Sequence, residues 1–132
     1  MYVDSSALAK LVVEEPESSV LEAWLTARGP NAAVVSSELA RIEVLRMARR
    51  SASGGAADRA RMILGGVDLV PMTGTVVDVA SEIGDPLLRS LDAIHLATAL
   101  SLGPALETMV VYDHRLADAA TNAGLSVDSP GR

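Results

Sequence analysis

Short runs of apolar, mostly β-branched residues alternate along this chain with longer stretches of helical periodicity, and that alternation restricts its fold most. Met1–Val3, Ala33–Val35, Val67–Val70, Met109–Tyr112 and Leu125–Val127 read as buried strands. Between them the spacing predicts helices over Ser6–Glu14, Ser18–Ala27, Glu38–Arg50, Ala56–Leu64, Val76–Ile83, Leu91–Leu102 and Arg115–Asn122. Breakers fall at the joints: Gly29-Pro30, Ser53-Gly54-Gly55, Gly65-Gly66, Gly84-Asp85-Pro86, Gly103-Pro104 and Gly124. Strands separated by helices pair in parallel through right-handed crossovers. The expected fold is therefore a three-layer α/β/α sandwich around a central parallel sheet of four to five strands, one domain over residues 1–132. Phe is absent. The core must be built from Leu, Val, Ile and Ala, with Met filling gaps.

Composition then narrows the chemistry. Without Cys, disulfides, thiolate metal sites and Cys nucleophiles are excluded, leaving carboxylates, two His, hydroxyls and Arg. No apolar run reaches the roughly 20 residues of a membrane span, and Asp4 interrupts the start, so a cytoplasmic protein without a leader is expected. The net charge is −6, yet Arg41, Arg46, Arg49, Arg50, Arg59 and Arg61 share their stretch only with Glu43 and Asp58, a local excess of +4 (six bases less two acids). Either a solvated helix face or a phosphate-binding track accounts for it.

An open parallel sheet places its ligand site beyond the carboxyl ends of its strands, where strand order reverses. Asp4 directly follows the first strand and Asp113 the fourth, and each also suits a helix N-cap. Glu43 borders the apolar face of its helix, where an exposed pair with Arg46 is the plain alternative. Asp92 falls in a first helical turn that Ser90 is placed to cap, where the helix dipole favours an acid. His95, one turn further on, reads as a structural histidine of an apolar helix. Should all four acids converge, they cannot rest as bare carboxylates. Two like charges ~4 Å apart repel by about 4 kcal/mol at an effective dielectric of ~20. A cation, or protons, must neutralise them. An oxygen-only ligand set selects Mg²⁺ or Mn²⁺ over zinc.

Four segments carry a resemblance: Tyr2-Val3-Asp4-Ser5-Ser6-Ala7-Leu8, Ser37-Glu38-Leu39-Ala40-Arg41-Ile42-Glu43-Val44-Leu45-Arg46, Leu91-Asp92-Ala93-Ile94-His95-Leu96-Ala97 and Tyr112-Asp113-His114-Arg115-Leu116. In order and spacing the chain resembles, over essentially its whole length, the PIN-domain ribonucleases, in particular the VapC-type toxins of bacterial toxin–antitoxin pairs. The resemblance implies an Mg²⁺- or Mn²⁺-dependent endoribonuclease whose catalytic and metal-binding acids are Asp4, Glu43, Asp92 and Asp113. Ser6 would steady Asp4 from behind, and Arg46, Arg89 and Arg115 would contact RNA. A homodimer inhibited by a cognate antitoxin is implied too. Val111 departs from the Thr that many members carry, which bears on a second metal.

With only Trp24, Tyr2 and Tyr112 as aromatics, base stacking cannot dominate RNA affinity, so binding should be modest and salt-sensitive, with specificity from RNA shape. Exposed apolar surface for partners is expected on the helices over Ser18–Ala27 and Ala56–Leu64. Two other functions stay open at this point. One is a catalytically silent PIN-like binding module. The other is a receiver-type phospho-acceptor domain, which Val70-Pro71-Met72 and a single Lys fit poorly.

Overall fold

The structure, a computed structural model, describes residues 1–132. Five strands form one all-parallel sheet in the order β3-β2-β1-β4-β5: β1 (Tyr2–Val3), β2 (Val35–Ser37), β3 (Asp68–Val70), β4 (Met109–Val110) and β5 (Val127–Asp128). Seven α-helices connect them: α1 (Ser5–Val12), α2 (Ser18–Thr26), α3 (Glu38–Arg50), α4 (Ala56–Gly65), α5 (Gly74–Glu82), α6 (Ser90–Ser101) and α7 (His114–Asn122). The chain builds outward from β1 to β3, then returns to β1's other side for β4 and β5. Strand order therefore reverses between β1 and β4, with register Tyr2↔Met109 and Val3↔Val110.

Alternation along the strands makes the three layers. Val3, Val110 and Tyr112 point into a core shared with α1, α3 and α4, where Leu8, Val44 and Ala60 are buried. Tyr2, Met109 and Val111 point to the opposite face, into a core with Leu96 of α6 and Leu116 of α7. No helix is long and apolar enough to cross a membrane.

Local chemistry sets the helix bounds. The Ser37 Oγ accepts the Leu39 N–H at 3.1 Å, Glu38 lies in the first turn of α3, and Arg49 and Arg50 close its last turn, so cap and dipole agree. Leu39, Ala40, Val44 and Ala48 form its buried stripe. The break between α1 and α2 is pinned by Lys10, whose buried Nζ donates to Glu15 at 2.6 Å and Glu17 at 2.8 Å and lies 4.8 Å from the centre of the Tyr112 ring.

Three strand expectations need correction. β2 is Val35–Ser37 rather than Ala33–Val35, because Ser36 and Ser37 are fully buried and carry the ladder to β3 despite having no apolar signature. β4 ends at Val110, since the Tyr112 N–H leaves the sheet to bond the Ser6 hydroxyl. β5 lies later than expected and includes Asp128, whose carboxylate accepts from Thr108 at 2.9 Å. Exposed apolar residues do occur on α2 (Val20) and α4 (Met62), but more gather around α5 and the start of α6, at Val77, Val79, Leu87 and Leu91.

Candidate active site

The carboxyl ends of β1 and β4 both deliver an aspartate. Asp4 caps α1: one carboxylate oxygen accepts the Ala7 N–H at 3.0 Å and the Ser6 hydroxyl at 2.7 Å. Ser6 in turn accepts the Tyr112 N–H at 3.1 Å, so it ties Asp4 and the start of α1 to the end of β4. Burial pushes the Asp4 carboxyl up to about 6, against the opposing pull of the Ser6 hydrogen bond.

Glu43 reaches the same edge from the middle of α3. Its Oε1 accepts the Ser5 hydroxyl at 2.5 Å and lies 2.6 Å from the His95 Nε2. The His95 Nδ1 is 2.6 Å from the Tyr2 hydroxyl, whose oxygen accepts the Ser37 N–H at 3.2 Å. A proton on Nε2, with Tyr2 donating to Nδ1, satisfies every group in this chain. Burial raises the Glu43 carboxyl, but the bonds from His95 and Ser5 outweigh it and hold the group below its ordinary range. Tyr2, Ser5 and the bond from His95 to Glu43 were not foreseen from sequence. The available signal was Tyr2 itself, a phenol in a buried strand position that must find a polar partner.

Asp92 and Asp113 meet through Arg89. Its Nε donates to Asp92 at 2.9 Å and one terminal nitrogen to Asp113 at 3.2 Å. The other Asp113 oxygen caps α7 through the Leu116 N–H at 3.0 Å. Ser90 does not cap α6. The cap position falls on Arg89, without a side-chain bond, and Ser90 is the first helical residue. Arg89 is thus tied to two carboxylates instead of standing free for phosphate, and the Asp92 bond, with the charge of Asp113, raises its already high basicity. Arg46 and Arg115 are exposed and make no ion pair. Val111 is fully buried in the core with α6 and α7.

All four expected acids occupy this edge and feel one another's surroundings: Asp4 senses Glu43 and His95, and Arg89 senses Asp92, Asp113 and Glu43. The single shared pocket expected from sequence is nevertheless not formed. No three acidic or histidine side chains lie close enough to hold one ion. Like charges must be neutralised, and here Arg89 does so for Asp92 and Asp113 while His95 bonds Glu43. In donor chemistry the residues fit a hard divalent cation. Every candidate ligand is a carboxylate, and the second oxygens of Asp4 and Glu43 accept no hydrogen bond from the protein.

The comparisons follow this geometry. A family model described as PIN domain matches residues 1–122. Ribonuclease VapC47 of Mycobacterium tuberculosis is 43% identical over 132 residues, covering 99% of this chain and 97% of its own. Ribonuclease VapC46 of the same species is 44% identical over 130 residues, covering 98% and 97%. Among solved structures, M. tuberculosis VapC20, described as a sarcin–ricin loop cleaving toxin, superposes with a TM-score of 0.76 at 18% identity over 98% of both chains. FitAcB of Neisseria gonorrhoeae gives 0.68 at 16% identity, over 98% of this chain and 96% of that one. A receiver-type module is set aside by these matches. With the family's pattern running from Met1 to Asn122 and relatives aligned almost end to end, this chain belongs to the PIN-domain family, alongside its VapC ribonucleases.

Proposed function

We propose that this chain is a metal-dependent endoribonuclease, the toxin of a toxin–antitoxin pair, acting on RNA in the cytoplasm. The observation that supports the reading most is that Asp4 and Asp113 directly follow β1 and β4, at the edge where an open parallel sheet keeps its site, with Glu43 bonded to Ser5 beside Asp4 and Asp92 joined to Asp113 through Arg89. The ribonuclease names of relatives more than 40% identical support the same activity.

Asp4 and Glu43 offer the first ligands for Mg²⁺ or Mn²⁺, each with one oxygen already fixed by hydrogen bonds and one free. Asp92 and Asp113 complete the set once Arg89 turns away from them. A bound divalent cation supplies Lewis acidity at the scissile phosphate and lowers the pKa of an attacking water. The chain's own residues do the positioning. Ser6 orients Asp4, and Ser5 with His95 orients Glu43. Arg46, one turn beyond Glu43 on α3, and Arg115, two residues beyond Asp113, lie along the path of an RNA backbone, and Arg89 joins them when released. Exposed apolar residues on α2, α4 and α5 offer surface to an antitoxin and to a second copy.

The test is purified protein incubated with a structured RNA, with Mg²⁺ or Mn²⁺ and with a chelator. Cleavage is expected only with metal, and Asp92→Asn or Asp4→Asn should abolish it while the fold persists. Variants that cut like the parent would refute the site. A parent that never cuts with either metal would leave the silent binding module.

A further inference from the structure

A groove of about 790 Å³ runs between the α5–α6 loop and α7, and of its lining only Arg115 has a part in the function proposed above. One wall is Ile83, Leu87 and Leu88, with Leu96 behind them. The other is a single face of α7, where Arg115, Asp118, Ala119, Asn122 and Ala123 recur at helical spacing. Two alanines keep that face low, and three exposed polar side chains rim it. The loop wall is a closed turn: Leu88 N–H donates to the Asp85 carbonyl at 2.8 Å, and Leu87 N–H to the Asp85 carboxylate at 2.7 Å. At the lip Leu87 leaves 85% of its surface to solvent, the most exposed large apolar residue of the chain. Both walls run on in sequence to residues beside the acids: Leu88 precedes Arg89, Arg115 follows Asp113 by two residues, and an Arg89–Asp113 ion pair of 3.2 Å joins the two.

We infer that this groove holds one unstacked guanine base of the RNA, next to the scissile phosphate, and so sets where the chain cuts; this rests on the ribonuclease reading. Single-stranded RNA is read by splaying bases onto flat surfaces and bonding their edges. No aromatic ring is free to serve as that surface. Tyr2 and Tyr112 are buried, and the Arg28 guanidinium covers Trp24 at 3.2 Å from the ring centre. The leucine wall and the planar Arg115 guanidinium supply it instead. Asp118 only accepts hydrogen bonds, whereas the Asn122 amide also donates. Guanine answers both, with two adjacent N–H donors for the carboxylate and an O6 acceptor for the amide. Adenine and cytosine each set one amino donor beside one ring-nitrogen acceptor, and uracil one donor between two carbonyls, so none of them fills both carboxylate oxygens as guanine does. The ribose and its phosphate then lie towards Arg89 and Arg115, in line with the acids.

Two measurements test this. In the first, GMP, AMP, CMP, UMP and ribose 5-phosphate are titrated without metal against isotope-labelled protein, following the Asn122 side-chain amide by NMR. GMP should shift it at the lowest concentration, and Asp118→Ala should weaken GMP about tenfold, the scale of one good edge contact. Equal shifts from ribose 5-phosphate would overturn the base assignment. In the second, cleavage positions are mapped on a randomised RNA pool. The parent should enrich G at one position flanking the cut, and Asp118→Ala or the groove-filling Ala123→Leu should erase that enrichment. Unchanged enrichment in both variants refutes the inference, as does a change in oligomeric state for Ala123→Leu with the same cut pattern, which would assign the groove to a protein contact. GMP binding by a parent that cuts no RNA would instead sink the ribonuclease reading alone.

Discussion

Replacing Asp4 by Asn should make the protein more stable at neutral pH while removing its activity. Asp4 is 3% exposed, and burial moves its carboxyl from an ordinary 3.8 to about 6. The folded state therefore holds the proton more tightly than the unfolded chain does. The burden from this group is absent below about pH 4, grows as pH rises towards 6, and is constant above. A difference of about two pH units at 1.36 kcal/mol each comes to about 3 kcal/mol. Asn keeps the cap, since its amide oxygen still accepts from Ala7 and Ser6, and it carries no charge to desolvate. Urea unfolding in the presence of a chelator is the assay, at about pH 7.5 and at about pH 4.5. The variant should exceed the parent by about 3 kcal/mol at the higher pH, roughly 10 °C in Tm, and by only about 1 kcal/mol at the lower. A variant less stable than the parent at neutral pH, or a gap that ignores pH, would refute the claim that Asp4 is a strained, desolvated carboxylate. Adding Mn²⁺ should narrow the gap, because an ion bound by the folded parent stabilises it by mass action.

Three further outcomes follow from contacts already described. Tyr2→Phe strips the Ser37 N–H and the His95 Nδ1 of their shared partner, and should cost about 1–3 kcal/mol in urea unfolding; no loss would mean that the hydroxyl bridge is not formed. Arg89→Ala frees Asp92 and Asp113, so Mn²⁺ should bind it several-fold more tightly by calorimetry, and unchanged or weaker binding would refute the view that Arg89 stands in a cation's place. RNA affinity should fall steeply with salt, with Arg46→Ala and Arg50→Ala each flattening the log–log slope by about 1; affinity that stays level between low and moderate salt would remove these arginines from the RNA path.

Much of the fold was legible because its local signals agree. Helix α3 spans Glu38–Arg50 as expected, its start written in Ser37 and Glu38 and its end in Arg49 and Arg50. β2 was misplaced for the opposite reason. Ser36 and Ser37 are buried by their place in the middle of a sheet, which no single-residue preference records. The acids were legible one at a time, Asp4 and Asp113 as polar residues just past apolar strands, Glu43 and Asp92 as acids on otherwise apolar helix faces. Their partners were not, because the pairs span the chain: Tyr2 meets His95 across 93 positions, and Arg89 meets Asp113 across 24. His95 reads as a structural histidine on an apolar helix, and it is indeed almost fully buried, yet its outward nitrogen aims at Glu43.

Those long-range pairings divide the site into a fixed half and a yielding half. Around Asp4 and Glu43, four other side chains from three elements, β1, α1 and α6, lock both carboxylates in place: Tyr2, Ser5, Ser6 and His95, with His95 and Tyr2 buried. Such buried, mutually satisfied bonds are costly to break, so these oxygens keep their directions whether or not an ion is present. Around Asp92 and Asp113 the only side-chain tie is Arg89, whose side chain is 62% exposed, and ion pairs with so open a partner contribute little. On the proposed function, taking up a cation would ask one exposed arginine to turn and would leave the rest still. On that same proposal, the arginine that neutralises Asp92 and Asp113 would be the one to meet the phosphate once a cation holds those two acids.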